Sequence, residues 1–133
     1  MLKKNFDISN IKELGLVNVD GSNIYDTFVN RIMFPIHDLK GQIIAYTGRI
    51  YKSESQNRYM NSRENSIFKK GNILFNYHRA RDYIRKTKEL IIVEGNLDAI
   101  RLYSEGIKNV VALMGTALTK EQIDIINKLD DLG

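Results

Sequence analysis

A strand that ends on a carboxylate constrains this sequence more than any other feature. Residues 90–93 are four consecutive apolar residues, three of them β-branched, and they predict a strand buried on both faces. Glu94 then lies at the carboxyl end of that strand, Gly95 permits a turn, and Asp98 falls at the start of a helix predicted over 97–105. Because ligands of open α/β sheets bind at the carboxyl ends of the strands, this turn is the candidate active site.

Glu94 and Asp98 are candidate ligands of one divalent cation. They stand four positions apart across the turn, and Mg²⁺ is often held by one or two carboxylates together with substrate phosphates. For Asp98 alone, an acid that stabilises the helix N-terminus through the macrodipole is the more frequent explanation. Glu94 is the stronger candidate, because a charged group that follows an apolar strand has no local partner in the sequence.

Alternating strands and helices are predicted for the rest of the chain. A strand over 109–113 follows the first helix, and a further helix begins at Lys120, where Thr119 and Gln122 have the spacing of a capping box. A β-α-β-α order implies a parallel sheet with right-handed crossovers. The apolar stripe of the last helix that we expect to be buried consists of Ile123, Ile126 and Leu129.

The turns that follow the two strands form a candidate phosphate loop. Glycine lets a phosphate approach the backbone closely, which applies to Gly95 and to Gly115. Thr116 could contact the same phosphate from the loop after the second strand, although turn chemistry explains this threonine nearly as well.

Length and composition exclude several classes of protein. With 133 residues, the chain is one domain or a compact pair of subdomains. It contains no cysteine, which excludes disulfides, zinc sites built on thiolates and cysteine nucleophiles. No apolar run approaches the length of a membrane-spanning helix, so a membrane protein is not expected.

The positive charge of the chain is concentrated in its middle. Residues 31–88 contain thirteen Lys and Arg against four Asp and Glu, whereas residues 89–133 contain four against eight. Basic segments of this kind are typical of proteins that bind nucleic acid, and a solvated basic face is the alternative. We therefore expect a polyanion to bind to the middle of the chain, beside an acidic segment that carries metal-assisted chemistry.

The basic segment predicts a sheet module of its own. Strands are predicted at 31–36 and 42–46. A polar surface loop near a ligand is predicted at 51–71, and a helix at 77–86. We place a subdomain boundary between residues 88 and 89. The predicted fold is thus an α+β basic subdomain over 1–88, followed by the start of an α/β domain with a parallel sheet over 89–133.

Aromatic residues and histidines have weaker claims to a functional role. Tyr51 and Tyr59 lie among basic residues, where stacking on unpaired bases and ordinary packing are equally plausible, whereas core packing is favoured for Phe68. His37 and His78 have no metal-ligand spacing, so we interpret them as structural or surface residues outside the site.

Two sets of motifs resemble those of a known family. The turn over 94–98 resembles the E-G-x-x-D signature that opens a TOPRIM domain, and residues 112–117 resemble the second strand and loop of that fold. Further segments resemble, in order and spacing, the catalytic core of bacterial DnaG-type primases, and these are 30–36, 48–49, 58–62 and 68–71. The resemblance covers nearly the whole chain, and the ordered set is more specific than the TOPRIM signature alone.

The resemblance implies an activity and a set of site residues. The family synthesises short RNA primers on single-stranded DNA from ribonucleoside triphosphates, by nucleotidyl transfer that depends on Mg²⁺ or Mn²⁺. Glu94 matches the first catalytic acid and metal ligand, and Asp98 matches the second acid. A monomer is expected, acting with a replicative helicase at the replication fork in the bacterial cytoplasm. Positions that match nucleic-acid- or nucleotide-binding residues are Arg31, Arg49, Arg58, Asn61, Lys69 and Lys70.

The chain departs from the family pattern near its end. The family's TOPRIM domain continues into a strand with an Asp-x-Asp pair that supplies most of the metal ligands, and the adjacent residues Asp130 and Asp131 do not match it. The family's zinc-binding and helicase-binding domains also have no counterpart here, so zinc is not expected. We therefore interpret the chain as an inactive fragment of a bacterial primase, truncated before the Asp-x-Asp strand. The alternatives are a single-stranded nucleic-acid binding module without chemistry, and another TOPRIM enzyme such as a nuclease or topoisomerase.

Overall fold

The computed structural model describes residues 7–51 and 58–131, which form parts of two compact units. The first unit comprises Met1–Pro35 and Ala45–Phe68, and the second comprises Ile36–Ile44 and Lys69–Gly133. No helix within the described ranges is long and apolar enough to span a membrane. The elements are α1 (Ile8–Glu13), β1 (Val17–Asp20), β2 (Asn23–Asp26), β3 (Arg31–His37), β4 (Ile43–Ile50), β5 (Tyr59–Asn61), α2 (Tyr77–Thr87), β6 (Ile91–Val93), α3 (Asn96–Ser104), β7 (Val110–Ala112) and α4 (Lys120–Asp131).

Two small sheets organise the first unit. Strands β1 and β2 form an antiparallel hairpin, with Gly21 at φ +59° in its turn. Strand β4 lies between β3 and β5, so Pro35 occupies an edge strand, where a residue without an N–H group is tolerated. The predicted strands over 31–36 and 42–46 are thus confirmed as β3 and β4, although β4 starts one residue later and extends to Ile50.

The polar segment over 51–71 contains more structure than a surface loop. Residues 52–57 lie outside the described ranges, but Tyr59–Asn61 forms β5 and pairs antiparallel with β4. The ring of Phe68 is fully buried, which confirms its predicted core role. The backbone of Phe68 is also fixed, because its N–H donates to Asn65 Oδ1 at 3.0 Å and its carbonyl accepts from Asn65 N at 3.0 Å. The prediction of a surface loop was therefore wrong for the strand Tyr59–Asn61 and for the buried residues Ser62 and Phe68, whereas Arg63, Glu64, Ser66 and Ile67 are exposed.

Arg31 crosses β4 at Gly48, where a larger residue has no room. A Cβ atom on Gly48 would lie 2.9 Å from Arg31 Cδ, and 3.1 Å from both Met33 Sδ and Phe28 Cδ1. The Arg31 guanidinium donates to the carbonyl oxygens of Gly48 at 3.2 Å and of Arg58 at 3.3 Å. Gly48 is thus required for the close passage of Arg31, and Arg31 connects the backbones of adjacent strands.

Replacing Gly48 with alanine is expected to destabilise the first unit by about 1–3 kcal/mol, the range typical of overpacking. The added methyl group would displace Arg31, Met33 or Phe28 from their positions. Urea unfolding of Gly48→Ala and of wild type measures the difference. The same substitution in an Arg31→Ala background should cost less, because the closest atom is gone; an equal cost in both backgrounds would contradict the assigned contact.

A parallel pair of strands and two helices form the core of the second unit. Strands β6 and β7 pair in parallel, with Ile92 opposite Val111, which confirms the predicted β-α-β order. On its other side, β7 is bonded to Phe75, whose N–H and carbonyl exchange hydrogen bonds with Ala112 at 3.0 and 3.1 Å. The buried hydrophobic cluster of this unit consists of Leu74, Tyr77, Ala80, Ile84, Val111 and Leu129.

The predicted burial of β6 on both faces was wrong. Ile91 and Ile92 are 37% and 39% exposed, whereas all three residues of β7 are fully buried. The reason is position rather than composition: within the described ranges β6 has a neighbouring strand on one side only, while β7 is bonded on both. An apolar, β-branched run alone does not distinguish these two environments.

Helix α4 begins with the predicted capping box. Gln122 N donates to Thr119 Oγ1 at 3.1 Å, and Thr119 N donates to Gln122 Oε1 at 3.0 Å. Leu129 is buried and Ile126 packs against the core, as predicted, but Ile123 is exposed. Ile125 takes its place against the core, which shifts the buried face of the helix.

His37 and His78 pack against each other in the second unit. Their ring centroids are 4.2 Å apart, and the rings are tilted by 31°. Burial, the neighbouring His37 and the positive charge of Arg79 lower the pKa of His78 to about 4, while Asp38 opposes the shift. Burial and Arg79 also lower the pKa of His37. The two histidines are therefore structural, in keeping with the absence of a metal-ligand spacing, and the pair is neutral at pH 7.

Acidification from pH 6.5 towards pH 4 is expected to destabilise the second unit through His78. The unfolded chain protonates this imidazole near its ordinary pKa, whereas the folded chain does so only near pH 4, so the unfolded state binds more protons between these values. Stability therefore falls as the pH falls through this window. Urea unfolding across the window should show a shallower decline for His78→Gln than for wild type; equal declines would contradict the assignment.

Candidate functional site

The predicted catalytic turn lies at the carboxyl ends of two adjacent strands. Leu113 N donates to the Val93 carbonyl at 3.0 Å, and Met114 N donates to the Glu94 carbonyl at 3.0 Å. These bonds continue the parallel pairing of β6 and β7 past both strand ends. The turn that begins at Glu94 and the loop after β7 are therefore neighbours, as the sequence predicted.

The Asp98 side chain lies close to the backbone at position 95. A Cβ atom on Gly95 would stand 3.0 Å from Asp98 Oδ2. Gly95 is also the N-cap residue of α3 and offers no side chain to that helix end, while Asp98 is the acid in its first turn. The negative carboxylate thus stabilises the positive end of the helix dipole.

Glu94 and Asp98 stay candidate ligands of a metal ion. Their oxygen donors suit a hard divalent cation, and the Glu94 side chain is exposed to an incoming ligand. Residues 7–51 and 58–131 contain no group of three or more His, Cys, Asp or Glu side chains that could hold a metal ion. Two carboxylates fit a cation that completes its coordination with phosphate oxygens, water or further acids.

Asn96 is a further candidate site residue, which the sequence analysis missed. It lies between Glu94 and Asp98 in the chain and is only 8% exposed, and its Nδ2 atom has no hydrogen-bond partner among the described residues. Buried amide groups are normally paired, so this donor can serve a ligand or water at the turn. Its position inside the E-G-x-x-D signature was the available signal, but asparagine near a helix start is too common to stand out.

The loop after β7 has a distinctive backbone. Met114 and Gly115 both have positive φ, of +62° and +81°, so the chain turns sharply as it leaves the strand. Thr116 Oγ1 donates to the Leu113 carbonyl at 3.1 Å, which closes this turn. The hydroxyl therefore has the turn role considered for it, and the phosphate role of Gly95, Gly115 and Thr116 stays a prediction.

The predicted nucleic-acid-binding residues of the first unit lie on all three strands of one sheet or directly beside them: Arg31 on β3, Arg49 on β4, Arg58 just before β5 and Asn61 on β5. Arg49 stands opposite Tyr59 in the pairing of these strands, and its guanidinium carbon is 5.7 Å from the centroid of the Tyr59 ring. Arg58 is exposed just before β5, and Asn61 is half-buried opposite Thr47. An exposed arginine beside an exposed tyrosine is suited to a nucleotide, since one can contact phosphate and the other can stack on a base.

Arg31 differs from the other basic residues in its surroundings. It is partly buried and donates to two backbone carbonyls, as described above, whereas Arg49 and Arg58 are exposed. A guanidinium has further N–H groups, so its proposed contact with nucleic acid stays a prediction.

Lys69 and Lys70 lie in the second unit, at a short 3₁₀ turn over Lys70–Asn72. Lys69 is exposed and Lys70 is half-buried. Side chains of Thr119 and Gln122 donate hydrogen bonds to the backbone of this turn. The charged candidate residues of the second unit are thus Lys69, Lys70, Glu94 and Asp98.

Comparison with known proteins identifies two family matches that together span most of the chain. Residues 1–81 match the family described as DNA primase catalytic core, N-terminal domain, and residues 88–130 match the Toprim domain. A DNA primase of Staphylococcus aureus is 44% identical over 129 residues, which are 96% of this chain and 21% of the relative. The chain therefore spans about a fifth of the length of the curated relatives that it matches.

Solved structures give the same result. The zinc-binding and RNA polymerase domains of the Aquifex aeolicus primase superpose with a TM-score of 0.88 and 37% identity, over 96% of this chain and 32% of that chain. A structure described as the DnaG primase catalytic domain bound to ssDNA superposes with a TM-score of 0.84 and 31% identity, over 96% of this chain and 43% of that one. The mixed α/β fold with its parallel strand pair is shared with these catalytic cores.

Proposed function

This chain belongs to the DNA primase catalytic-core family, and we propose that it is the part of a bacterial primase that contributes template-binding residues and the first acidic turn of the polymerase site. The whole protein would synthesise short RNA primers on single-stranded DNA for replication. The predicted division into a basic subdomain over 1–88 and the first half of a Toprim domain over 89–133 remains part of this proposal.

The observation that carries the proposal is the position of Glu94 and Asp98 at the carboxyl edge of β6, beside the loop that follows β7. Primer extension requires the 3′ hydroxyl of one nucleotide to attack the α-phosphate of the next, with release of pyrophosphate. Bound Mg²⁺, or Mn²⁺, would activate the attacking oxygen and neutralise charge on the leaving group. Glu94 and Asp98 would hold the cation, while Lys69 and Lys70 would contact phosphates of the template or of the incoming nucleotide.

The template would be bound by Arg31 on β3, Arg49 on β4, Arg58 just before β5 and Asn61 on β5. The structural relative bound to ssDNA supports single-stranded DNA as the ligand, and the thirteen basic residues of the middle segment supply the charge. The guanidinium of Arg58 offers bidentate contact with a phosphate. We propose the bacterial replication fork as its place of action, with ribonucleoside triphosphates and a replicative helicase as the other partners of the whole protein.

The isolated chain is expected to bind single-stranded DNA without making primers. Only two carboxylates of the proposed metal site are present in its described residues, which is too few to hold the metal ions of a polymerase. In fluorescence anisotropy with an oligo-dT probe, three to four phosphate contacts predict that log K falls with log salt with a slope of about −2 to −3. Binding without salt dependence would contradict the proposal. Dinucleotide synthesis by the chain alone would contradict the expected inactivity.

A further inference from the structure

Gln122 does more than cap α4. Its side chain is fully buried, and its Oε1 atom accepts the capping hydrogen bond from Thr119 N at 3.0 Å. Its Nε2 atom donates to the carbonyl of Ile73 at 2.8 Å and to that of Lys70 at 3.3 Å. Both protons of the amide are therefore used on the segment that follows Lys69, some fifty positions away in sequence.

Thr119 holds the same segment at its centre. Its Oγ1 atom donates to the Gly71 carbonyl at 2.6 Å and accepts from Gln122 N at 3.1 Å. The backbone approach is close, because a Cβ atom on Gly71 would lie 3.1 Å from Thr119 Cγ2. Two side chains of one helix start thus bind three carbonyls, those of Lys70, Gly71 and Ile73.

A capping box does not require these additional bonds. The reciprocal bonds between Thr119 and Gln122 already satisfy two N–H groups at the helix start. The bonds to residues 70–73 instead fix a short 3₁₀ turn, which otherwise has no side-chain cap and few bonds of its own. What they fix is the backbone from which Lys69 and Lys70 extend.

We propose that Thr119 and Gln122 are positioning residues for nucleotide or DNA phosphate, acting through the backbone of Lys69 and Lys70. This inference rests on the proposed function. A lysine side chain loses much conformational freedom when it binds, and a backbone that is already ordered reduces the total cost of binding. Loss of either positioning residue should therefore weaken phosphate binding through the two lysines, and not through the arginines of the first unit.

A double-mutant cycle on the whole chain tests the proposal, with oligo-dT as probe and fluorescence anisotropy at low salt. Gln122→Met keeps the side-chain volume and removes all three bonds. We expect it to weaken binding about three- to tenfold, and to have no further effect once Lys69 and Lys70 are both alanine. In an Arg49→Ala background, Gln122→Met should weaken DNA binding by the same factor as it does in the wild-type chain.

A matched pair at Thr119 keeps the test open if Gln122→Met does not fold. Thr119→Ser retains the hydroxyl bonded to Gly71 and should bind as wild type, whereas Thr119→Val loses that hydroxyl at equal volume and should bind more weakly. An equal effect of Gln122→Met or Thr119→Val with and without the two lysines would overturn the inference alone. Wild-type chain that shows no salt-dependent binding would overturn the proposed function, and the inference with it.

Discussion

Replacing Arg49, Arg58 and Lys70 together with alanine is expected to weaken single-stranded DNA binding roughly 10- to 100-fold, if each exposed phosphate contact contributes about 0.5–1 kcal/mol. The salt slope should become less steep by about 2, because each phosphate of a single strand that the protein neutralises accounts for about 0.7 of the slope. Both numbers come from one anisotropy titration repeated across a salt series. The slope is the more specific readout, since it counts neutralised phosphates.

Three lysines elsewhere provide a control with the same reduction in charge. Lys12, Lys120 and Lys128 are exposed on α1 and α4, outside residues 31–88, and none of them belongs to the predicted binding residues. Their replacement with alanine lowers the net charge equally and should leave the slope nearly unchanged. If the two triple variants behave alike, the middle of the chain is a solvated basic face and the proposed template contacts are wrong.

Replacing Phe68 with alanine is expected to lower the free energy of unfolding by about 3–5 kcal/mol, the usual cost of removing a buried phenyl ring. The ring is fully buried, and its backbone is held on both sides by Asn65, so the surroundings have little freedom to close the cavity. Urea unfolding measures the decrease. Phe68→Leu should cost much less, because most of the volume is kept.

The neighbouring residue supplies the control for this prediction. Ile67 is also apolar and lies in the same segment, but it is 53% exposed. Ile67→Ala should change stability by no more than about 0.5 kcal/mol. Similar costs at positions 67 and 68 would mean that Phe68 is not the anchor of this segment.

Features set by local sequence could be predicted, and those set by distant contacts could not. The Thr119 and Gln122 capping box and the strands at 31–36 and 109–113 depend on spacing and β-propensity, and the structure confirms them. The exposure of β6 could not be predicted, because it depends on which strands pair with it. The hydrogen bonds from Gln122 to the carbonyls of Lys70 and Ile73 join residues about fifty positions apart. No periodic pattern in the sequence predicts such a contact.

The candidate site shows the same division. The acidic turn follows from an apolar run, a glycine and helical spacing, all of which are local. The passage of Arg31 over Gly48 and the burial of the Asn96 amide depend on neighbours from other segments. The same local sequence could therefore occur in several different environments. Sequence therefore predicted charged residues for the candidate site, but not which residues also fix the backbone through hydrogen bonds.

In the sheet of the second unit, β7 is hydrogen-bonded on both of its sides. One side of β7 is bonded to β6, and the other side is occupied by Phe75, with Asn76 Nδ2 donating to the Val110 carbonyl at 2.9 Å. A strand from any source would have to break these bonds to pair with β7. Within the described residues, β6 pairs with a strand on one side only, so a further strand could pair along its other edge, which ends at Glu94.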